Sequence, residues 1–238
     1  LLCNNFQKGK KVLVPAITFS ATAAAVLYCG LIPVFVDINK NDLNINLEDL
    51  KKKFTKDCVA VMPVHFGGHP CEMDKIMSWA NQKNLIVIED CAETCGGYFK
   101  GKKIGTWGHF GCFSFEEKKM MTTGDGGMIT TNNAIMAKKL KSLSFHGWDK
   151  DPLLRHKQRS LDSSKKSKKD LHWYYEIKHL GYKYNMNDLE ASIGRVQLKR
   201  LSFLNNSRIE FLKKYLSNLK NCKNLIPTFP YNLKKSSY

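Results

Sequence analysis

Short apolar runs alternate with helical periods along most of this chain. Val12–Val14, Val34–Val36, Val59–Val64, Leu85–Ile88, Phe110–Phe115 and Met128–Thr131 are β-rich runs bounded by polar, glycine or proline positions. Between them, Phe19–Cys29, Leu47–Phe54, Met73–Gln82 and Ala134–Leu143 carry helical spacing, with Asn46 placed to cap the second. Asn187 caps a helix running from Asp188 toward Leu201, and a further helix covers Arg208–Leu219. This alternation predicts parallel βαβ units: an α/β fold with a mostly parallel central sheet and helices on both faces. No internal repeat is present.

Residues 12–36 contain no charged side chain, a length that raises the question of a membrane span. Pro15, Gly30 and Pro33 interrupt the run, and Thr18, Ser20 and Thr22 sit on its helical part, so it reads as strand, helix, strand. The chain of 238 residues is long enough for one large domain, or for a domain plus part of another. It begins at Leu1, with Leu1-Leu2-Cys3 resembling the end of an apolar helix, and Asn232 to Tyr238 supply no closing element. The expectation is a fragment: a large domain over 1–200, containing a basic flexible loop at 149–172, then a linker helix and the start of a truncated small domain over 201–238.

Eight cysteines are scattered with no CxxC pair, and Cys91 with Cys95 lacks a second pair at zinc-ligand spacing. They read as free thiols in a reducing compartment, which points to the cytoplasm. The formal net charge of +17 invites a polyanion partner, yet only five of 38 basic residues are arginines. Base-edge and phosphate forks favour arginine, so sequence-specific nucleic-acid binding is not expected. The basic tract from Arg155 to Lys169 is broken by Ser160, Asp162, Ser163, Ser164 and Ser167 and reads as a solvated loop.

Two motifs carry chemistry. The strand Leu85–Ile88 delivers the carboxylate of Asp90 at its C-terminal end, and the strand Phe110–Phe115 runs into Glu116-Glu-Lys-Lys-Met-Met-Thr-Thr-Gly-Asp-Gly-Gly127, a lysine pair followed by a glycine-rich turn. Ligands of open α/β sheets bind outside the carboxyl ends of the strands, so both motifs aim polar residues at one crevice. A lysine able to form a Schiff base and an aspartate able to pair with a pyridinium nitrogen are what pyridoxal phosphate chemistry requires. His65 and His69 are four apart, but the intervening Phe-Gly-Gly and the following Pro70 deny them a shared helical face, so no metal site is expected.

Seven segments, in order, resemble the DegT/DnrJ/StrS family of sugar aminotransferases: Val14-Pro-Ala-Ile-Thr-Phe-Ser-Ala-Thr22, Pro33-Val-Phe-Val-Asp37, Pro63-Val-His-Phe-Gly67, Ile88-Glu-Asp-Cys-Ala-Glu93, the Phe113–Gly127 lysine block, His146-Gly147 and Gly181-Tyr-Lys-Tyr-Asn-Met-Asn187. The resemblance implies the large domain of an aspartate aminotransferase-like, pyridoxal phosphate-dependent transferase. It assigns the Schiff base to Lys119 and the ring-nitrogen partner to Asp90. Ala92 would pack on one ring face, Phe19 would stack on the other, and Ser114 would bond the phosphate. Glu93 stands where many relatives carry glutamine near the ring hydroxyl. Lys183 stands where many carry an asparagine that reaches the phosphate from the neighbouring subunit, which implies a homodimer with shared active sites. His65 would lie near substrate. The phosphate-binding helix start of the family is expected before residue 1. The implied reaction is transamination of a nucleotide-linked keto-sugar, usually with glutamate as donor. Dehydratase relatives replace the Schiff-base lysine with histidine, against which Lys119 argues. A non-catalytic or truncated paralogue that only binds partners is the rival from another class.

Overall fold

The computed structural model describes residues 1–148, 175–222 and 224. The basic loop expected at 149–172 lies outside the described residues. A six-stranded sheet forms the centre, in the order β2-β1-β3-β4-β7-β8. Its strands are β1 (Lys11–Pro15), β2 (Ile32–Val36), β3 (Cys58–Val61), β4 (Ile86–Asp90), β7 (Phe110–Ser114) and β8 (Gly127–Thr130). All pairings are parallel except that of β7 with β8 at the edge. The helices α1 (Ser20–Tyr28), α2 (Leu47–Lys53) and α3 (Met73–Gln82) make the crossovers between β1, β2, β3 and β4.

The order reverses at β1, with β2 on one side of it and β3 on the other. Right-handed crossovers in opposite directions place α1 on one face and α2 and α3 on the other. The buried side chains follow that division. Leu13, Val36, Val61 and Val87 join Leu50, Met73, Ile76, Trp79 and Ala80 in one core cluster, while Val12, Val14, Ala60, Ile88 and Val26 are buried outside it. Strands covered on both faces read as continuous apolar runs, which is why β1, β3 and β4 stand out in the sequence. Asn46 caps α2 as expected, its side chain accepting from the Glu48 and Asp49 amides.

Two elements differ from the expectation. The glycine-rich connection Gly96–Gly105 contains a two-stranded antiparallel hairpin, β5 (Tyr98–Phe99) with β6 (Lys102–Lys103). The segments read as two helices near the C-terminus form one helix, α5 (Asp188–Leu219), so the boundary expected at 200/201 falls inside it. In the polar stretch Asn205-Asn206-Ser207, between the two expected helices, the Asn205 amide donates outward to the Cys95 carbonyl and the Ser207 hydroxyl donates back to the Phe203 carbonyl. With their side chains so engaged, these residues leave the helical ladder intact. A full capping box starts the helix, Asn187 and Glu190 each accepting from the other's amide.

Contacts divide the chain into two units, Leu1–Asn132 together with the chain from Asn187 onward, and Asn133–Met186. The second unit is built on the helix α4 (Ala134–Leu143) and the bridges Phe145↔Lys183 and Trp148↔Ile177. Among the described residues no helix is long and apolar enough to cross a membrane.

Candidate active site

Asp90 is the last residue of β4 and is half-buried at the carboxyl edge of the sheet. Its Oδ2 accepts from the Thr22 hydroxyl at 2.8 Å, and its Oδ1 accepts from the Ala92 amide at 3.1 Å. The Thr18 hydroxyl, just before α1, lies 2.7 Å from the Thr22 hydroxyl in its first turn, so the start of the helix braces the carboxylate. The backbone is pinned too: the Asp90 amide donates to the Pro63 carbonyl and its carbonyl accepts from the His65 amide. Each carboxylate oxygen offers about two lone-pair sites, so one on each oxygen stays open. Among the described residues no lysine, arginine or histidine forms an ion pair with Asp90.

The neighbouring Glu89 has the opposite environment. It is fully buried, and its two oxygens accept from four donors: Oε1 from the Trp107 and Gly108 amides at 2.8 and 2.7 Å, Oε2 from the Gly105 amide at 2.9 Å and from His65 Nε2 at 3.1 Å. Because the Cys71 amide donates to His65 Nδ1, the proton of that ring sits on Nε2 and faces Glu89. Burial pushes the Glu89 carboxyl pKa up, but the hydrogen bond from His65 and those from the Gly108 and Gly105 amides outweigh it and hold the pKa below the ordinary value. Gly105 is required here. Its φ is +82°, and a Cβ would stand 2.4 Å from the Phe113 ring.

This network places the residue expected near substrate. His65 has no exposed surface and both ring nitrogens are engaged, so it faces Glu89 and the Cys71 amide rather than a substrate. Ligand atoms of His65, Glu89 and Cys91 approach within 4.8 Å of one another, but their lone pairs and protons are already committed to hydrogen bonds. Burial also pushes the Cys91 thiol far up, so it stays protonated.

The lysine turn begins at the end of β7, whose Cys112 pairs in register with Asp90. Ser114 closes the strand, and its Oγ accepts only a long contact from the Glu116 amide at 3.5 Å. Phe115 then anchors the turn: its amide donates to the Gly126 carbonyl, and its carbonyl accepts from the Thr123 amide and the Thr122 hydroxyl. Within that loop the Lys119 amide donates to the Glu116 carbonyl at 3.0 Å. Lys119 is half-buried, whereas Lys118 is exposed.

Phe19 is 78% exposed at the N-cap of α1, one turn before the Thr22 that holds Asp90. Ala92 is half-buried and contributes its amide to Asp90. Glu93 accepts from the Gly67 amide at 2.7 Å, tying the Cys91–Gly97 turn to the Phe66–Gly68 turn. Lys183 belongs to the second unit, where its ammonium lies 4.9 Å from the centre of the Phe145 ring and bonds the Asn185 side chain. Sequence reasoning missed Thr18 and Thr22 as carboxylate braces. A hydroxyl pair spaced four apart at a helix start was the available signal.

The profile of the DegT/DnrJ/EryC1/StrS aminotransferase family matches residues 1–238. The chain is 39% identical over 224 residues to the spore coat polysaccharide biosynthesis protein SpsC of Bacillus subtilis, covering 94% of this chain and 55% of that protein. It is 35% identical over 219 residues to the GDP-perosamine synthase of Escherichia coli O157:H7, covering 92% and 54%. Among solved structures, Spr1654 of Streptococcus pneumoniae in its PLP form superposes with a TM-score of 0.76 at 27% identity, covering 91% of this chain and 55% of that one. The chain thus spans about half the length of the curated relatives it matches. The protein belongs to the DegT/DnrJ/EryC1/StrS aminotransferase family.

Proposed function

We propose that the protein performs pyridoxal phosphate-dependent transamination of a nucleotide-linked keto-sugar, with L-glutamate as amino donor, in amino-sugar and polysaccharide biosynthesis. The Asp90 carboxylate carries this reading: it is oriented by Thr22 and the Ala92 amide, lacks a cation partner among the described residues, and neighbours the strand that leads to Lys119.

The residues fit the cofactor. An oriented carboxylate without a cation suits a protonated ring nitrogen. The exposed ring of Phe19 offers an aromatic face beside the brace of that carboxylate, and Ala92, whose amide holds the carboxylate, carries only a methyl. The Ser114 hydroxyl, at the end of β7, suits a phosphate oxygen. When bound, pyridoxal phosphate accepts an amino group from a donor and passes it to a keto carbon, its ring acting as electron sink.

Asp90 would pair with the ring nitrogen of the cofactor and favour its protonated form. Lys119 would hold the cofactor covalently, and its amine, when free, would be the group that gives and takes the proton during amino transfer. The same residues act in reverse when the keto-sugar accepts the amino group. The net positive charge draws a sugar diphosphate toward the protein. The names of the relatives, a GDP-perosamine synthase and a spore coat polysaccharide protein, support this substrate class. Lys183, as a point charge, would reach the phosphate from the partner subunit of a homodimer, with Glu93 near the ring hydroxyl. Eight free cysteines fit the cytoplasm.

The test is titration of the chain with pyridoxal phosphate, followed by L-glutamate. Wild type should develop the absorbance of a lysine-linked cofactor, lose it on adding glutamate, and release 2-oxoglutarate; Lys119→Ala should do none of these. No spectral change in wild type would overturn the reading and favour a chain that only binds partners.

A further inference from the structure

We propose that Arg208 is a positioning residue for Lys119, clamping the lysine turn onto α5 so that the amine is presented in a single geometry. The inference deepens the transaminase reading and rests on it for the role of Lys119.

The helix α5 runs as an uninterrupted rod past two turns that carry site residues. Gly194 lies against the lysine turn so closely that a Cβ there would stand 3.0 Å from the Thr123 methyl. Leu201, the buried residue of the helix, packs on Gly96. The Asn205 amide donates to the Cys95 carbonyl at 3.1 Å, and Arg208 Nη2 donates to the Met120 carbonyl at 3.2 Å. Positions 194, 201, 205 and 208 are separated by seven, four and three residues, so they share one helical face. That face extends about 21 Å at the helical rise of roughly 1.5 Å per residue. One stripe therefore touches both the turn of Ala92 and Glu93 and the turn of Lys119.

The Arg208 contact is the polar end of that stripe. Met120 directly follows Lys119, so a bond to its carbonyl fixes the 120–121 peptide, one residue beyond the lysine, and limits how the turn can carry it. Asn205 does double duty: while its amide holds Cys95, its Oδ1 accepts from Arg208 Nη1 at 3.2 Å and orients the guanidinium. Among the described residues no carboxylate pairs with Arg208, so the charge acts on the Met120 carbonyl and the Asn205 amide oxygen. A planar fork with fixed donors suits that task, and a lysine reaching as a single point does not. The other end of the turn is held by Phe115. Lys119 lies between these two anchors, its amide bonded to the Glu116 carbonyl.

Two measurements separate this clamp from general stabilisation and from the transaminase reading. Hydrogen exchange needs no cofactor: in Arg208→Ala and Arg208→Lys, the Lys119 and Thr123 amides should exchange at least tenfold faster, while amides of β1 and β3 keep their protection. In the second, the pH midpoint of the lysine-linked cofactor absorbance should shift in Arg208→Ala and return toward wild type with millimolar guanidinium. Unchanged exchange in the folded Arg208→Lys protein would overturn the clamp. An accelerated turn with an unmoved pH midpoint would overturn its role in presenting Lys119. Absence of cofactor absorbance in wild type itself would instead sink the transaminase reading.

Discussion

Replacing Glu89 by glutamine is the most instructive single perturbation, because it keeps the shape and removes one acceptor. In wild type both carboxylate oxygens accept, Oε1 from Trp107 and Gly108, Oε2 from Gly105 and His65. Glutamine supplies one oxygen and one NH2 group, so whichever way the amide turns, two donors meet a donor. His65 cannot relieve this by moving its proton to Nδ1, which already accepts from the Cys71 amide. Two buried donors without acceptors cost about 1–3 kcal/mol each, so Glu89→Gln should lose roughly 2–6 kcal/mol. Against a total stability of about 5–15 kcal/mol, that is a large fraction. Urea unfolding followed by tryptophan fluorescence measures it as a lowered midpoint at unchanged slope. The sign with pH follows from the depressed Glu89 pKa. Its stabilisation is fully present above the unfolded value near 4.5 and is lost as pH falls through the lower folded value. Wild type should therefore lose its advantage over Glu89→Gln on acidification below 4.5. A destabilisation under about 1 kcal/mol at neutral pH, or a difference independent of pH there, would refute the view that this carboxylate is ionised and saturated.

Further outcomes follow from the same geometry. Thr22→Val removes the donor to Asp90 Oδ2 while keeping the shape, and should weaken cofactor affinity in an absorbance titration with about 1–2 kcal/mol lost in unfolding. Gly105→Ala forces a side chain to φ +82° against the Phe113 ring and should cost about 2–4 kcal/mol by denaturant melts. Cys112, pushed up to about 11 chiefly by burial, should resist iodoacetamide at pH 8 while the exposed Cys222 reacts, as read by mass spectrometry of alkylated peptides.

Most of the sheet was legible because strands buried on both faces leave apolar runs that no loop mimics, as β1, β3 and β4 show. Asp90 was legible because it ends such a run. What stayed hidden depends on non-local pairing. The burial of His65 follows from Glu89, 24 residues away, and the bracing of Asp90 from Thr22, 68 residues away. The hairpin of β5 and β6 was masked by glycine and lysine, since two-residue strands carry no period to read. The continuity of α5 was hidden by Asn205-Asn206-Ser207, a polar stretch whose first residue finds its partner on the Cys91–Gly97 turn.

Reduction with borohydride after loading with pyridoxal phosphate, followed by peptide mapping, tests the central claim most directly. The account predicts a single phosphopyridoxyl group on Lys119, lost in Lys119→Ala and made weaker by Asp90→Asn. A label on Lys118 or spread over surface lysines, with Lys119 unmodified, would contradict it.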